Sequence, residues 1–301
     1  MAQIELTART AEPTFATREA LDGIKLRRWD GALGAEITGL DVRAALDDDE
    51  VMSFIEKAFW RHQVLSFPGQ DLTPEDQLAF ASRFGEIDRY PFAEPLPDHP
   101  AVVAVTKEPG TALNFGGVWH SDSPYMPVPP RATVLYGVDI PSRGGDTMFA
   151  DMYAAYESLT TGMKQLLDGL QGVFCACCVH GPGTEDLKLG DVVKIRDLTL
   201  SENENLHPIV RTHPVTRRKA LYVSRVHVQR LGNMSDREST PLLDFLANHA
   251  SDPIFTSRLH WEKGTLAIFD NRCVQHLALN DYPTERREIH RVVVRDDQAP
   301  F

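Results

Sequence analysis

The chain has 301 residues, 31 basic against 43 acidic side chains (formal charge −12) and 42% hydrophobic residues. That composition excludes wholesale disorder, and the acidic surplus excludes a non-specific grip on nucleic acid or anionic lipid while leaving room for a local cationic pocket. No apolar run approaches the roughly 18 residues of a membrane span.

In chain order, residues 1–20 read as a tail without the apolar centre of a secretory leader, and residues 21–301 as one domain, since no linker or repeat divides them. Asp47 to Phe59 opens with acids and carries apolar residues at helical spacing. Gln63 to Phe67 reads as a strand. Thr73 followed by Pro74 caps a second helix, which Gly85 ends. Strands are expected at Ala101 to Thr106 and Ala132 to Val138, then an interrupted helical pattern over Met152 to Leu170. Four Cys, three of them in Cys175-Ala-Cys-Cys178, do not form a disulfide framework and read as buried, reduced thiols in a cytoplasmic protein. Ala220 to Val228 reads as a strand, Ser235 to Glu238 as a capping box opening a helix to about His249, and Leu266 to Phe269 and Arg291 to Arg295 as further strands. Short strands with helices set aside in sequence predict a mainly β fold, a sandwich or jelly roll with flanking helices.

Chemistry concentrates in two places. In Trp119-His-Ser-Asp122, one residue separates His120 from Asp122, a spacing that puts both side chains on one face of a strand. The pair is either two thirds of a two-His, one-carboxylate metal site or an ordinary strand with a hydrogen-bonded histidine. Near the C-terminus, Asp270-Asn-Arg272 leads to His276, and Arg287 follows eleven positions later. An arginine one strand beyond a metal-binding histidine suits an anionic co-substrate, because its planar fork meets a carboxylate with two parallel hydrogen bonds.

These residues resemble the taurine dioxygenase family of Fe(II)/2-oxoglutarate-dependent oxygenases, which includes alkylsulfatase and phenoxyalkanoate dioxygenase members. Leu33 to Gly39, Gln63 to Gln70, Trp119 to Asp122, Gly144 to Thr147, His207 to Pro214, and Asp270 to Arg272 with His276 stand in the family's order. The resemblance implies a double-stranded β-helix, a cupin-like jelly roll. It implies that His120, Asp122 and His276 bind iron, that Arg287 and Thr147 hold 2-oxoglutarate, and that Arg291 meets the anionic group of the substrate. The implied reaction is C–H hydroxylation by O2, with 2-oxoglutarate decarboxylated to succinate and CO2; a hydroxyl placed beside a leaving group collapses to an aldehyde or ketone. A homo-oligomer is implied as well, with no nucleic-acid or membrane partner.

Three positions depart from the taurine-specific pattern. Tyr90 stands where those enzymes have a sulfonate-contacting histidine, Phe115 and Gly116 where they have an acid and Asn, and His227 where they have an aromatic. The expected substrate is therefore a small carboxylate, sulfonate or sulfate with an apolar body and no amine. A natural-product tailoring oxygenase (hydroxylation, desaturation or cyclisation) is the alternative within the same chemistry. Two rivals lie outside it: a zinc hydrolase, which gives Thr147 and Arg287 no role, and a silent jelly-roll binding module, which has no reason to keep all four site residues. Cys273, His207, His213 and His290 read as structural.

Overall fold

The computed structural model describes residues 23–177 and 202–301; the expected N-terminal tail and Cys178 lie outside them. At the centre is an eight-stranded sheet, ordered β1 (Lys25–Arg28), β2 (Ala35–Thr38), β3 (Val64–Phe67), β14 (Leu266–Asp270), β6 (Ala132–Asp139), β16 (Arg287–Val294) and β4 (Ile87–Asp88), with β5 (Val103–Lys107) also pairing β16. Every residue of β14 is buried, as expected of a strand flanked on both sides and covered on both faces. A three-stranded sheet, β13 (Thr256–Leu259), β7 (Thr147–Asp151) and β15 (Val274–Ala278), packs on the large sheet through Phe149 and Phe269, whose rings lie 5.4 Å apart. A second three-stranded sheet, β12 (Val228–Leu231), β8 (Gln171–Phe174) and β9 (Asn205–Pro208), and the hairpin β10 (Val210–Thr212) with β11 (Lys219–Leu221) extend that layer. This is the expected jelly roll, and its active cavity opens between the two layers.

Helices α1 (Val42–Ala45), α2 (Asp49–His62) and α3 (Pro74–Ser82) cover the outer face of the large sheet. Asp48 caps α2, Ile55 and Phe59 are wholly buried beneath it, and Gln63 in the left-handed conformation turns the chain directly into β3. Burying two such side chains contributes about 1.5–3 kcal/mol each. The expected capping box of α3 is present, with Thr73 and Asp76 as partners.

The interrupted helical pattern over Met152 to Leu170 is two helices, α4 (Met152–Glu157) and α5 (Thr161–Leu167), because Thr160 caps a new helix. Three expectations are corrected. Ala220 to Val228 is the end of β11 and the start of β12; between them the amides of His227 and Val228 both donate to the Ser224 carbonyl, a local turn that replaces the ladder. The C-terminal helix α6 (Asp236–Ala250) does open on Ser235, whose amide and hydroxyl donate to the Glu238 carboxylate. Arg291 to Val294 is the second half of a longer strand, β16, that already contains Arg287; Arg295 lies just beyond it. Cys175 and Cys177 are joined in a disulfide with Cα atoms 5.3 Å apart, because the chain turns just after β8 and folds one side chain back on the other.

Candidate active site

His120 and Asp122 are not on a strand. His120 makes an isolated bridge with His276 of β15, its amide donating to the His276 carbonyl at 3.1 Å and its carbonyl accepting from the His276 amide at 2.8 Å. Ser123, with φ of 45°, and Pro124 stop the strand from continuing. The bridge achieves what strand alternation was expected to do: the two imidazoles lie side by side, ring centroids 4.1 Å apart, and His120 Nε2 is 3.8 Å from Asp122 Oδ1. Gly116 makes room for this, since a Cβ there would sit 3.1 Å from His120 Cε1 and its φ of 79° is unfavourable for other residues.

One nitrogen or oxygen from each of His120, Asp122 and His276 falls within 4.8 Å of the other two, and all three residues are buried. Two neutral imidazoles and a carboxylate suit a divalent ion of the iron type. His120 Nδ1–H donates to the Val118 carbonyl at 2.7 Å, which leaves Nε2 with its lone pair facing the cluster. Burial pushes the His120 imidazole down, and burial together with the His120 ring brings His276 down to about 3, so both are unprotonated donors at neutral pH. Burial would raise the Asp122 carboxyl, but Arg291 and the two imidazoles outweigh it and hold the group well below the usual carboxylate range.

Asp122 is clamped. Thr133 Oγ1 donates to its Oδ2 at 2.5 Å, Asn271 Nδ2 donates to Thr133 Oγ1 at 2.9 Å, and the Asp122 amide donates to Asn271 Oδ1 at 3.2 Å. Oδ1 is thereby turned toward the histidines. Replacing Thr133 by Val is expected to weaken Mn(II) binding about tenfold by calorimetric titration, since lost ligand support commonly costs 10–100-fold. Unchanged affinity would remove the clamp from the account.

At the other end of the cavity stand Thr147, the first residue of β7, and Arg287, the first of β16. Thr147 Oγ1 accepts from the Trp261 indole at 2.9 Å. Arg287 is only 6% exposed, is joined in no ion pair among the described residues, and leaves its Nε without a hydrogen-bond partner. Gly145 lets it pass: a Cβ there would meet Arg287 Cδ at 3.2 Å and Pro141 Cγ at 3.0 Å. A buried cation without a carboxylate is costly, so the residues present fit an anionic group, and the donor set fits a metal beside it.

His120, Asp122, His276, Thr147, Arg287, Arg291 and Phe115 all line this one cavity. Tyr90 and His227 border it. The Arg291 guanidinium lies over the Tyr90 ring at 4.5 Å, and the His227 ring is 6.5 Å from that of His120. Arg291 forms no ion pair with Glu288 or Asp281; its Nη2 pairs instead with Asp122 Oδ1 at 3.0 Å. Glu288 is taken by Arg286 and His290, and Asp281 Oδ1 accepts from the Gly145 amide.

A second trio, His213, Asp270 and Cys273, also brings ligand atoms together. Its lone pairs are spent within the protein. His213 Nδ1 accepts from the amides of Val215 and Thr216, so Nε2 carries the proton donated to Asp270 at 2.9 Å, and Arg272 donates twice to the same carboxylate at 2.8 and 2.7 Å. The structural reading of His213 and Cys273 holds, as does that of His207, which bonds the Met126 carbonyl.

Donors that suit a divalent ion and a buried cation lacking its anion are the two halves of ferrous, 2-oxoglutarate-dependent oxygen chemistry, and their sharing one cavity places the protein among the dioxygenases that use Fe(II), 2-oxoglutarate and O2. The chain belongs to the taurine catabolism dioxygenase (TauD, TfdA) family, whose model matches residues 24–293. It is 31% identical to an alkylsulfatase of Acinetobacter baylyi over 90% of this chain and 84% of that one. It is 33% identical to an (S)-phenoxypropionate/alpha-ketoglutarate dioxygenase of Sphingobium herbicidovorans, over 90% and 94%. A crystal structure of a taurine dioxygenase from Burkholderia xenovorans matches with a TM-score of 0.76 at 32% identity, covering 92% of each chain. Among the described residues, no helix is long and apolar enough to cross a membrane.

Proposed function

We propose that this dioxygenase oxidises a small anionic organic compound with an apolar body, an alkyl sulfate, alkyl sulfonate or phenoxyalkanoate, and that His120, Asp122 and His276 hold its iron. The observation that carries the reading is that β16 sends two buried arginines, Arg287 and Arg291, into one cavity. Four residues apart on a strand, they stand about 13 Å from each other along the chain. Arg287 stands in no ion pair among the described residues, and Arg291, though paired with Asp122 through Nη2, keeps a buried Nη1 without a partner, so the cavity has a place for two ligand anions. Arg287, with Thr147, takes the distal carboxylate of 2-oxoglutarate; Arg291, beside the metal ligands, takes the head of the substrate.

When bound, the iron and 2-oxoglutarate supply the O2-derived oxidant, and succinate and CO2 are released. The chain itself orients and shields. Arg287 anchors one end of the co-substrate with paired hydrogen bonds, Thr147 adds a hydroxyl, and Arg291 fixes the head of the substrate so that a C–H bond near it faces the metal. Phe115, Val105, Leu135 and Ile289 line the same cavity and keep water from an apolar tail. Tyr90 closes the wall beside Arg291, and His227 stands on the far side of His120. Asp122 is the sole carboxylate lining the cavity among the described residues and is engaged by Arg291, so no counter-ion awaits an ammonium group. A single domain, assembly as a homo-oligomer and a cytoplasmic setting, where ferrous iron and 2-oxoglutarate are both supplied, complete the reading.

Succinate release measured across octyl sulfate, octanesulfonate, 2-phenoxypropionate and taurine tests the substrate class. One of the three apolar anions is expected to exceed taurine in kcat/KM by more than tenfold, about 1.4 kcal/mol of transition-state binding. Taurine as the best substrate would refute the apolar-anion reading. The chain is also 30% identical to pentalenolactone F synthase of Streptomyces arenae, over 89% of this chain and 94% of that one. Rejection of every panel member would favour the tailoring alternative.

A further inference from the structure

We propose that Arg291 is a coupling residue: one of its terminal nitrogens holds the metal-ligand carboxylate while the other receives the anion of the substrate, so that substrate binding tightens metal binding. This rests on the reading of the cavity above and adds an energetic link between its two halves.

The geometry is specific. Arg291 is 4% exposed, and its Nη2 lies 3.0 Å from Asp122 Oδ1, the oxygen that also faces His120 Nε2. The other Asp122 oxygen is committed to Thr133, so Arg291 and a metal ion act on the same atom. Arg291 Nη1, in contrast, is buried with no hydrogen-bond partner among the described residues. The guanidinium cannot swing away easily, because the Tyr90 ring lies 4.5 Å beneath it. A buried donor without an acceptor, rigidly joined to a metal ligand, is a place for an anion.

The sign follows from charge. Without substrate, Arg291 neutralises Asp122 and places a positive charge beside the incoming cation; both weaken metal binding. An anionic head on Nη1 offsets that charge while Nη2 stays in place, and Asp122 recovers its donor strength. By linkage the metal tightens the anion by the same factor. Thr133 keeps Asp122 aimed throughout, so removal of the Arg291 charge leaves a competent ligand rather than a wandering one.

The test reads metal affinity rather than turnover. Mn(II) is titrated into the 2-oxoglutarate-bound protein under argon, free aqueous Mn(II) being followed by electron paramagnetic resonance, with no addition, with hexyl sulfate, or with 1-hexanol. Hexyl sulfate is expected to lower the Mn(II) dissociation constant by about fivefold or more, within the usual range of coupling between sites, and hexanol to leave it unchanged. Arg291→Met is expected to bind Mn(II) more tightly than the parent without any anion and to show no response to hexyl sulfate; Arg291→Gln serves the same purpose if the Met variant does not fold. Hexyl sulfate that binds by ligand-observed NMR yet leaves Mn(II) affinity unchanged would overturn the coupling. Absence of hexyl sulfate binding would instead overturn the anionic-substrate reading, and the coupling is then judged by the variants alone, where parent-like Mn(II) affinity refutes it.

Discussion

Replacing Arg287 by Met is expected to weaken 2-oxoglutarate binding by about two to three orders of magnitude while leaving the unliganded fold as stable as the parent, or more so. A carboxylate held by a buried guanidinium fork loses about 3–5 kcal/mol when the cation is removed, and each 1.4 kcal/mol is a factor of ten. The stability half of the prediction has the opposite sign from most buried-arginine substitutions. Arg287 forms no ion pair among the described residues and its Nε is unpartnered; its neighbours are the Tyr282 hydroxyl and, at longer range, Asp146, which is held by Arg258, so Met relieves a buried charge at the cost of one hydrogen bond to Tyr282. Calorimetry on the Mn(II)-loaded protein reads the first effect, and thermal melting without ligand reads the second. Arg287→Lys, which keeps charge but loses the fork, should fall between parent and Met in affinity. A Met variant that binds 2-oxoglutarate within twofold of the parent would show that the diacid lies elsewhere.

His120→Ala is expected to lower both substrate oxidation and 2-oxoglutarate decarboxylation by about a thousandfold or more, since every catalytic contribution here acts through the bound metal. The fold should tolerate the change, because the backbone bridge between residues 120 and 276 uses amides and carbonyls that alanine retains. Asp122→Ala should abolish activity equally but with a different signature. It strips the ion-pair partner from buried Arg291, a change that costs about 3–5 kcal/mol of stability. Equal melting points for the two variants would contradict the Arg291–Asp122 pair as an energetic contact.

The sequence carries the hydrophobic architecture plainly where burial is two-sided or caps are strong. Leu266 to Phe269 is apolar throughout because β3 and β6 flank it, and Thr73 with Pro74 and Asp76 leaves little choice but a helix. It fails where local polar bonds defeat the ladder, as at Ser224, and where a left-handed residue breaks an apparent strand, as at Ser123. The spacing suggested a pleat that would bring His120 and Asp122 together; instead a bridge to β15 sets His120 beside His276, while Asn271 and Thr133 hold Asp122 facing them. Thr133 and Trp261 were missed. A threonine in a strand is an ordinary β former, and nothing local shows that its hydroxyl reaches a carboxylate eleven residues away in sequence or that an amide from Asn271 stands behind it. Asn271 did stand within a recognised motif, though its role became visible only with coordinates. Arg291 was assigned to an anion; its grip on Asp122 joins segments distant in sequence and leaves no trace in either one.

Anomalous diffraction from crystals grown anaerobically with Mn(II) and 2-oxoglutarate tests the central claim most directly. The account predicts one strong metal peak enclosed by His120, Asp122 and His276, with the diacid running from it toward Thr147 and its far carboxylate on Arg287. A peak among His213, Asp270 and Cys273 instead, or a diacid bound with no contact to Arg287, would contradict it.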